Sequence, residues 1–155
     1  MWPSPWRPPC PASGSGNSFK PIPLTVTRLA KLRTRAFFAQ QCRCIYCHLP
    51  IWEGPYKDRL VSALGIPESL VPYLQSTAEH LVAQQDGGPD APVNIATACQ
   101  WCNWKRHAHR HNCAPDPVTF QAEVRRLMAA KRWHPAARWA SRTLPGRAGQ
   151  RSDRA

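Results

Sequence analysis

The chain lacks any apolar run near the ~20 residues that a membrane-spanning helix needs, so a spanning segment is not expected. Its first residues, Met1-Trp2-Pro3-Ser4-Pro5-Trp6, lack the apolar stretch of a secretion signal. No internal repeat is visible. Acidic residues are scarce and unevenly placed. Residues 1–41 hold six Lys/Arg and no acid, residues 42–114 hold six of each sign, and residues 115–155 hold nine Lys/Arg against three acids. The net charge of +12 therefore lies on the two flanks, with a neutral middle. Such flanks are either a solvated basic surface or a footprint for phosphates. The cysteines fall at metal-ligand spacing, which fits a reducing cytoplasm better than a disulfide framework. A cytoplasmic setting is the expectation.

What is present breaks into clear segments. At 155 residues the chain suits one modest domain with tails. Residues 1–23 are rich in Pro, Ser, Gly and Trp and read as a disordered arm. From 25 to 40, Val26, Leu29, Ala30, Leu32, Ala36 and Phe37 recur at three- and four-residue steps between Arg28, Lys31, Arg33 and Arg35. That is an amphipathic helix with a basic side, capped by Thr25 or Thr27. Cys44 and Cys47 follow at zinc-knuckle spacing, and Cys42 stands outside that pairing. Residues 49–76 read as an insertion cut by Pro50, Gly54, Pro55, Pro67 and Pro72, with one brief helix over 58–64 and a turn over 68–74. Its expected task is to cover the zinc site or shape a partner surface. Residues 77–83 read as a strand, 84–92 as a loop with a strong turn at Asp86-Gly87-Gly88, and 93–98 as a second strand. A helix over 100–111 begins at Cys99-x2-Cys102. Asp116 is placed to cap a last helix, with Pro117 at its first position, running to about Trp133. Residues 135–155 read as a disordered basic tail. The domain is expected over 24–134, its core over 42–111.

The chemistry concentrates between the cysteine pairs. Cys44, Cys47, Cys99 and Cys102 form the ligand set of a closed structural zinc site. Between and beside them stand Glu79-His80, Asp86-Gly87-Gly88, Asn94, Asn103 and Lys105. Asn94 precedes Cys99 by five residues and Asn103 directly follows the last cysteine. One Cys-x2-Cys is weak evidence. Two, with His and Asn at these places between them, are specific. Residues 42–107 thereby resemble the HNH endonucleases, the zinc-stapled branch of the ββα-metal nucleases. The resemblance implies an α+β fold: a small ββα-metal domain with a structural zinc, flanking helices and disordered basic tails.

The resemblance also implies roles. His80 matches the general base. Phosphodiester hydrolysis needs a water deprotonated in line with the leaving oxygen, and imidazole, with an ordinary pKa of roughly 6.5, is the natural acceptor at neutral pH. Asn94 matches the residue that holds the catalytic histidine and steadies the loop. Asn103 matches the third position of the motif, often His. Glu79 and Asn103 match the family's cation site. Their hard oxygen donors favour Mg2+ or Mn2+ over a second zinc. His107, four residues beyond Asn103, shares its helix face and is a further ligand candidate. Lys105, Arg106 and Arg110 are expected against the DNA backbone. A plain reading exists for each residue: a half-buried strand histidine, a turn Asn, solvated charges. One geometric difficulty remains, because adjacent strand residues point to opposite faces while Glu79 and His80 are both asked to address one phosphate.

The sequence thus implies a metal-dependent endonuclease acting on DNA, with no membrane and no small-molecule substrate among its partners. Two rivals stand beside it. One is a zinc-stapled nucleic-acid-binding module without catalysis. The other is an RNA-directed or toxin-type nuclease.

Overall fold

A computed structural model describes residues 27–108 and 114–144. Helix α1 (Arg28–Ala39) leads into a cysteine turn, helix α2 (Lys57–Leu64) and two short 3-10 turns. A two-stranded antiparallel sheet follows, β1 (Ser76–His80) with β2 (Ile95–Cys99). Helices α3 (Gln100–His107), α4 (Pro117–Ala129) and α5 (Ala137–Thr143) complete the chain. The mixed helix and two-strand architecture, with its four-cysteine cluster, is the fold class expected. No helix of the described residues is long and apolar enough to cross a membrane.

Local chemistry sets the boundaries. Thr27 caps α1 by accepting from Ala30 N at 3.2 Å. Asp116 caps α4 by accepting from Thr119 N at 2.9 Å, with Pro117 at the first helical position. Gly65, in the left-handed region at φ 58°, ends α2. The strands pair in continuous register from Ser76↔Cys99 to His80↔Ile95. β1 stops at His80, short of the expected end at 83. Beyond it a side chain replaces the partner strand: Asn94 Oδ1 accepts from Val82 N at 2.8 Å and Asn94 Nδ2 donates to Val82 O at 3.0 Å. The side-chain amide thus stands in for a peptide group. A similar substitution occurs on the outer edge of β2. There Gln40 Oε1 accepts from Thr97 N at 2.9 Å and Gln40 Nε2 donates to Thr97 O at 2.8 Å.

The core surrounds the cysteines. Phe37 of α1, Tyr46, Ile51, Leu74, Val124 of α4 and Trp139 of α5 pack in one cluster with them. The expected insertion over 49–76 belongs to that core. Leu49, Ile51, Leu60, Leu64, Ile66, Val71 and Leu74 are all buried in it. Its Glu53 is buried too, and takes hydrogen bonds from Arg33, Thr34 and Ser76. Arg33 is therefore tied to the core rather than offered to phosphates.

The expectation of disorder over 135–155 is corrected for α5. Its seven residues bury Ala137, Trp139 and Ala140. The stretch is too short for a helical period to stand out among Pro, Ala and Arg. The arm at 1–23, the end of the tail, His109, Arg110 and His111 lie outside the described residues.

Candidate metal centre and hydrolytic pocket

The hairpin has two ends, and each positions a different cluster. At the Ser76↔Cys99 end, Cys44 and Cys47 from the turn after α1 meet Cys99 and Cys102. Their sulfurs all lie within 4.8 Å of one another, and all four residues are buried. Four sulfurs each about 2.3 Å from a zinc stand about 3.8 Å apart along the edges of a tetrahedron. Cys47 Sγ and Cys99 Sγ are 3.8 Å apart. Cys99 also caps α3, accepting from Cys102 N at 3.3 Å, while Cys44 Sγ accepts from Tyr46 N at 3.4 Å. Trp133 donates its indole N–H to Cys102 Sγ at 3.1 Å. Donors aimed at sulfur favour thiolates, the form that binds metal. Burial, and after it the neighbouring Cys44, push the thiols of Cys47, Cys99 and Cys102 up, and a dication at their centre would offset that cost. The cluster can hold a structural zinc. Cys42 is buried but outside it.

At the His80↔Ile95 end, a pocket of about 330 Å³ is lined by Ala78 and His80 of β1, Asn103 and His107 of α3, and Ala83, Gln84 and Gln85 of the loop. Ala78 and His80 share one face of the strand, as alternation requires. His80 Nε2 lies 2.7 Å from Asp90 Oδ1. With Asp90 ionised, Nε2 carries the proton and Nδ1 keeps its lone pair. Asn103 Nδ2 donates to Thr77 Oγ1 at 2.9 Å and to Ala78 O at 3.0 Å. Those bonds fix the amide and leave Oδ1 as its donor atom for a cation.

The loop over the pocket is held by Asn94, whose Nδ2 also donates to Pro89 O at 3.1 Å. Gly88 lies so close beneath that a Cβ there would stand 1.8 Å from Val82 O and 2.8 Å from Asn94 Nδ2. Gly87 turns the chain at φ 85°. The Asn94 side chain spans the loop from Val82 to Pro89, and no hydrogen bond joins it to the His80 ring among the described residues. Asp90 makes that bond.

Glu79 departs from expectation. The register is unbroken, so no bulge brings it round beside His80. Its side chain is fully buried on the other face. Oε1 accepts from the Arg106 guanidinium and from Tyr46 Oη at 3.1 Å, with His107 Nε2 at 3.3 Å. Burial, then the neighbouring carboxylate, pushes the Tyr46 hydroxyl up, keeping it a donor. Oε2 has no hydrogen-bond partner among the described residues. An orphaned buried carboxylate oxygen beside His107 fits a cation site, but Glu79 can bring one oxygen to it, not two. His107, a pocket residue in contact with the carboxylate, links the two faces.

Arg106 is corrected as a DNA contact. It is 2% exposed and all its directions are used. Besides Glu79 it donates to His80 O at 2.9 Å, Leu81 O at 2.7 Å, and Pro115 O at 3.0 and 2.8 Å. It fastens α3 to the end of β1 and to the segment before α4. Lys105 lies with its ammonium 4.9 Å and 4.8 Å from the ring centroids of Trp101 and Trp104.

Sequence reasoning missed Asp90, Tyr46 and Trp133. The first two are joined to the site only through space, with no spacing to announce them. The third reads in sequence only as the end of the last helix.

Residues 65–109 match the family model of the HNH endonucleases. No curated protein and no solved structure gives a match.

Proposed function

We propose, from the HNH endonuclease match over residues 65–109, that the chain is a metal-dependent endonuclease hydrolysing phosphodiester bonds in DNA. The observation that carries this reading is the pocket in which a carboxylate-braced His80 faces Asn103 and His107. His80 Nδ1 takes the proton of a water that attacks phosphorus. The phosphorus–O3′ bond breaks, the leaving O3′ takes a proton from water, giving a 5′ phosphate and a 3′ hydroxyl, and the imidazolium returns its proton to solvent. Asp90 acts as a positioning residue, fixing the tautomer and steadying the imidazolium. His107, Asn103 Oδ1 and Glu79 Oε2 are the groups that would hold a hard dication, Mg2+ or Mn2+. When bound, such a cation supplies charge stabilisation at the phosphate and the leaving oxygen. The zinc cluster takes no part in the chemistry and holds the hairpin and α3 in place. Cytoplasmic DNA is the partner this reading implies.

One observation favours a second reading. The buried Arg106 already neutralises Glu79, which suits a zinc-stapled nucleic-acid-binding module without catalysis. Supercoiled plasmid, incubated with Mg2+, Mn2+ or EDTA and wild-type or His80→Ala protein, separates the two. The nuclease reading expects cation-dependent cutting by wild type and a loss of roughly 100-fold or more in His80→Ala. Comparable cutting by a soluble His80→Ala protein would sink the mechanism. Binding without cutting by wild type would favour the module.

A further inference from the structure

Helix α3 carries more than the pocket and the zinc ligands. Successive helix residues are about 100° apart, so Trp104 sits about 100° round from Asn103 and about 60° from His107. It is on the solvent side, next to the pocket wall. Its side chain is 55% exposed, an unusual placement for the largest apolar residue in a small protein. Yet the ring is not loose. Its centroid is 5.6 Å from that of Trp101, and the Lys105 ammonium lies over both. Trp101 in turn is fixed by its indole N–H on Trp133 O at 3.0 Å and by the edge-on ring of Tyr73 at 5.5 Å. Tyr73 is itself exposed. The result is a braced aromatic step, its outer indole more than half exposed and a cation beside it, on the helix that lines the pocket.

We propose that Trp104, braced by Trp101 and Lys105, is a stacking platform for an unpaired base of a nucleic-acid strand, so that the preferred substrate is single-stranded or frayed rather than fully paired. The inference rests on the nuclease reading for its placement beside the pocket, but not for its chemistry. Every base has a π-face, and an indole with a nearby ammonium offers stacking to the base and charge to the adjoining phosphate. In a duplex both faces of an internal base are already stacked, so a fixed indole gains nothing there unless the strands part. Charge selects the occupant. Lys105 stands within the patch itself and the basic flanks on either side carry the net +12, which suits a polyanion. A protein surface is the alternative occupant of an aromatic patch.

The test is binding by the full zinc-loaded chain without added Mg2+ or Mn2+, which keeps it apart from cleavage. Fluorescein-labelled oligothymidylate, oligouridylate and a DNA duplex of the same length are titrated by anisotropy. The variants are Trp104→Ala and Trp104→Phe, with zinc content and far-ultraviolet dichroism checked against wild type. Trp104→Ala is expected to weaken single-strand binding by roughly 5- to 150-fold, to leave duplex binding nearly unchanged, and to be largely rescued in Trp104→Phe. Preference between the deoxy and ribo strands then names the substrate. An equal loss on duplex and single strands, or no loss on either, would overturn the platform. Plasmid cutting by wild type with no Trp104 effect removes only this inference. A Trp104-dependent single-strand affinity without any cutting removes only the nuclease reading.

Discussion

The two ends of one five-pair hairpin differ in almost every physical respect. The Cys99 end is dry: four buried thiols, backbone and indole N–H groups aimed at sulfur, and a core of aromatic and aliphatic residues around them. The His80 end is open: two imidazoles and an amide face a pocket, under a loop pinned by one asparagine. The first arrangement concentrates stability and the second exposes chemistry. The same ten residues serve both because alternation sends Ala78 and His80 to the pocket while Glu79 faces inward. Arg106 ties the ends together. It rides on α3, one turn from the last cysteine, and grips the backbone at His80 and Leu81.

The comparison breaks most completely if zinc is not what holds the dry end. Structural zinc supplies roughly 10 kcal/mol or more in small metal-folded units, far above the stability of a domain of this size. Cys99→Ser removes a zinc ligand while leaving a hydroxyl that can still cap α3. It should abolish cooperative unfolding, and a strong chelator should do the same to wild type. His80→Ala, at the other end, should melt close to wild type. Elemental analysis finding no zinc in folded protein would break the assignment, as would a Cys99→Ser protein of unchanged thermal stability.

A smaller effect sharpens the link between the ends. Arg106→Met keeps the bulk but leaves Glu79 as a buried carboxylate with only Tyr46 and His107 beside it. Removing one partner of a buried ion pair costs about 3–5 kcal/mol, so urea unfolding should show a loss of that order. Restoring neutrality with Arg106→Met/Glu79→Gln should recover a good part of it. A single variant as stable as wild type would show that Arg106 is not the tie between α3 and β1.

Particular residues show why some of this was legible in sequence and some was not. Spacing is a local property, and Cys44-x2-Cys47, Cys99-x2-Cys102, Gly87-Gly88 and the Asp116-Pro117 cap all speak within a few residues of themselves. The ββα order and the inner place of the four cysteines followed. The direction of Glu79 was also implicit in strand alternation: its side chain is buried on the face opposite His80, and His107 stands between the two faces. Partners chosen through space were not legible. Asp90 reaches His80 only because Asn94 and the missing Cβ of Gly88 fold the loop back. Arg106 reads as a surface charge in a basic run, Lys105-Arg106-His107, and only the packed fold reveals that it is buried between two half-buried neighbours. The strand ends moved because side-chain amides, which no hydrophobic period reports, replaced backbone partners.

The smallest expected effect separates the ends by pH. His134 lies at the dry end, against Trp101 and Tyr73, with centroid distances of 6.0 and 6.5 Å. Nδ1 accepts from Ala136 N at 2.9 Å, so the neutral ring carries its proton on Nε2. Burial, opposed only in part by the negative charge of Cys44, lowers its pKa to about 4 from an ordinary 6.5. The unfolded chain therefore takes up a proton between pH 6.5 and 4 that the folded chain refuses. Stability from this group is fully present above about pH 6.5 and drains away as pH falls toward 4, amounting to about 3 kcal/mol at most. Acid also attacks zinc thiolates, so the comparison must be between wild type and His134→Leu, both zinc-loaded. The variant should lose stability at neutral pH through imperfect packing, yet its unfolding free energy should depend less steeply on pH between 6.5 and 4.5. Parallel pH profiles for the two proteins would mean that the ring is protonated in the fold. Burial would then not be what sets the charge of His134.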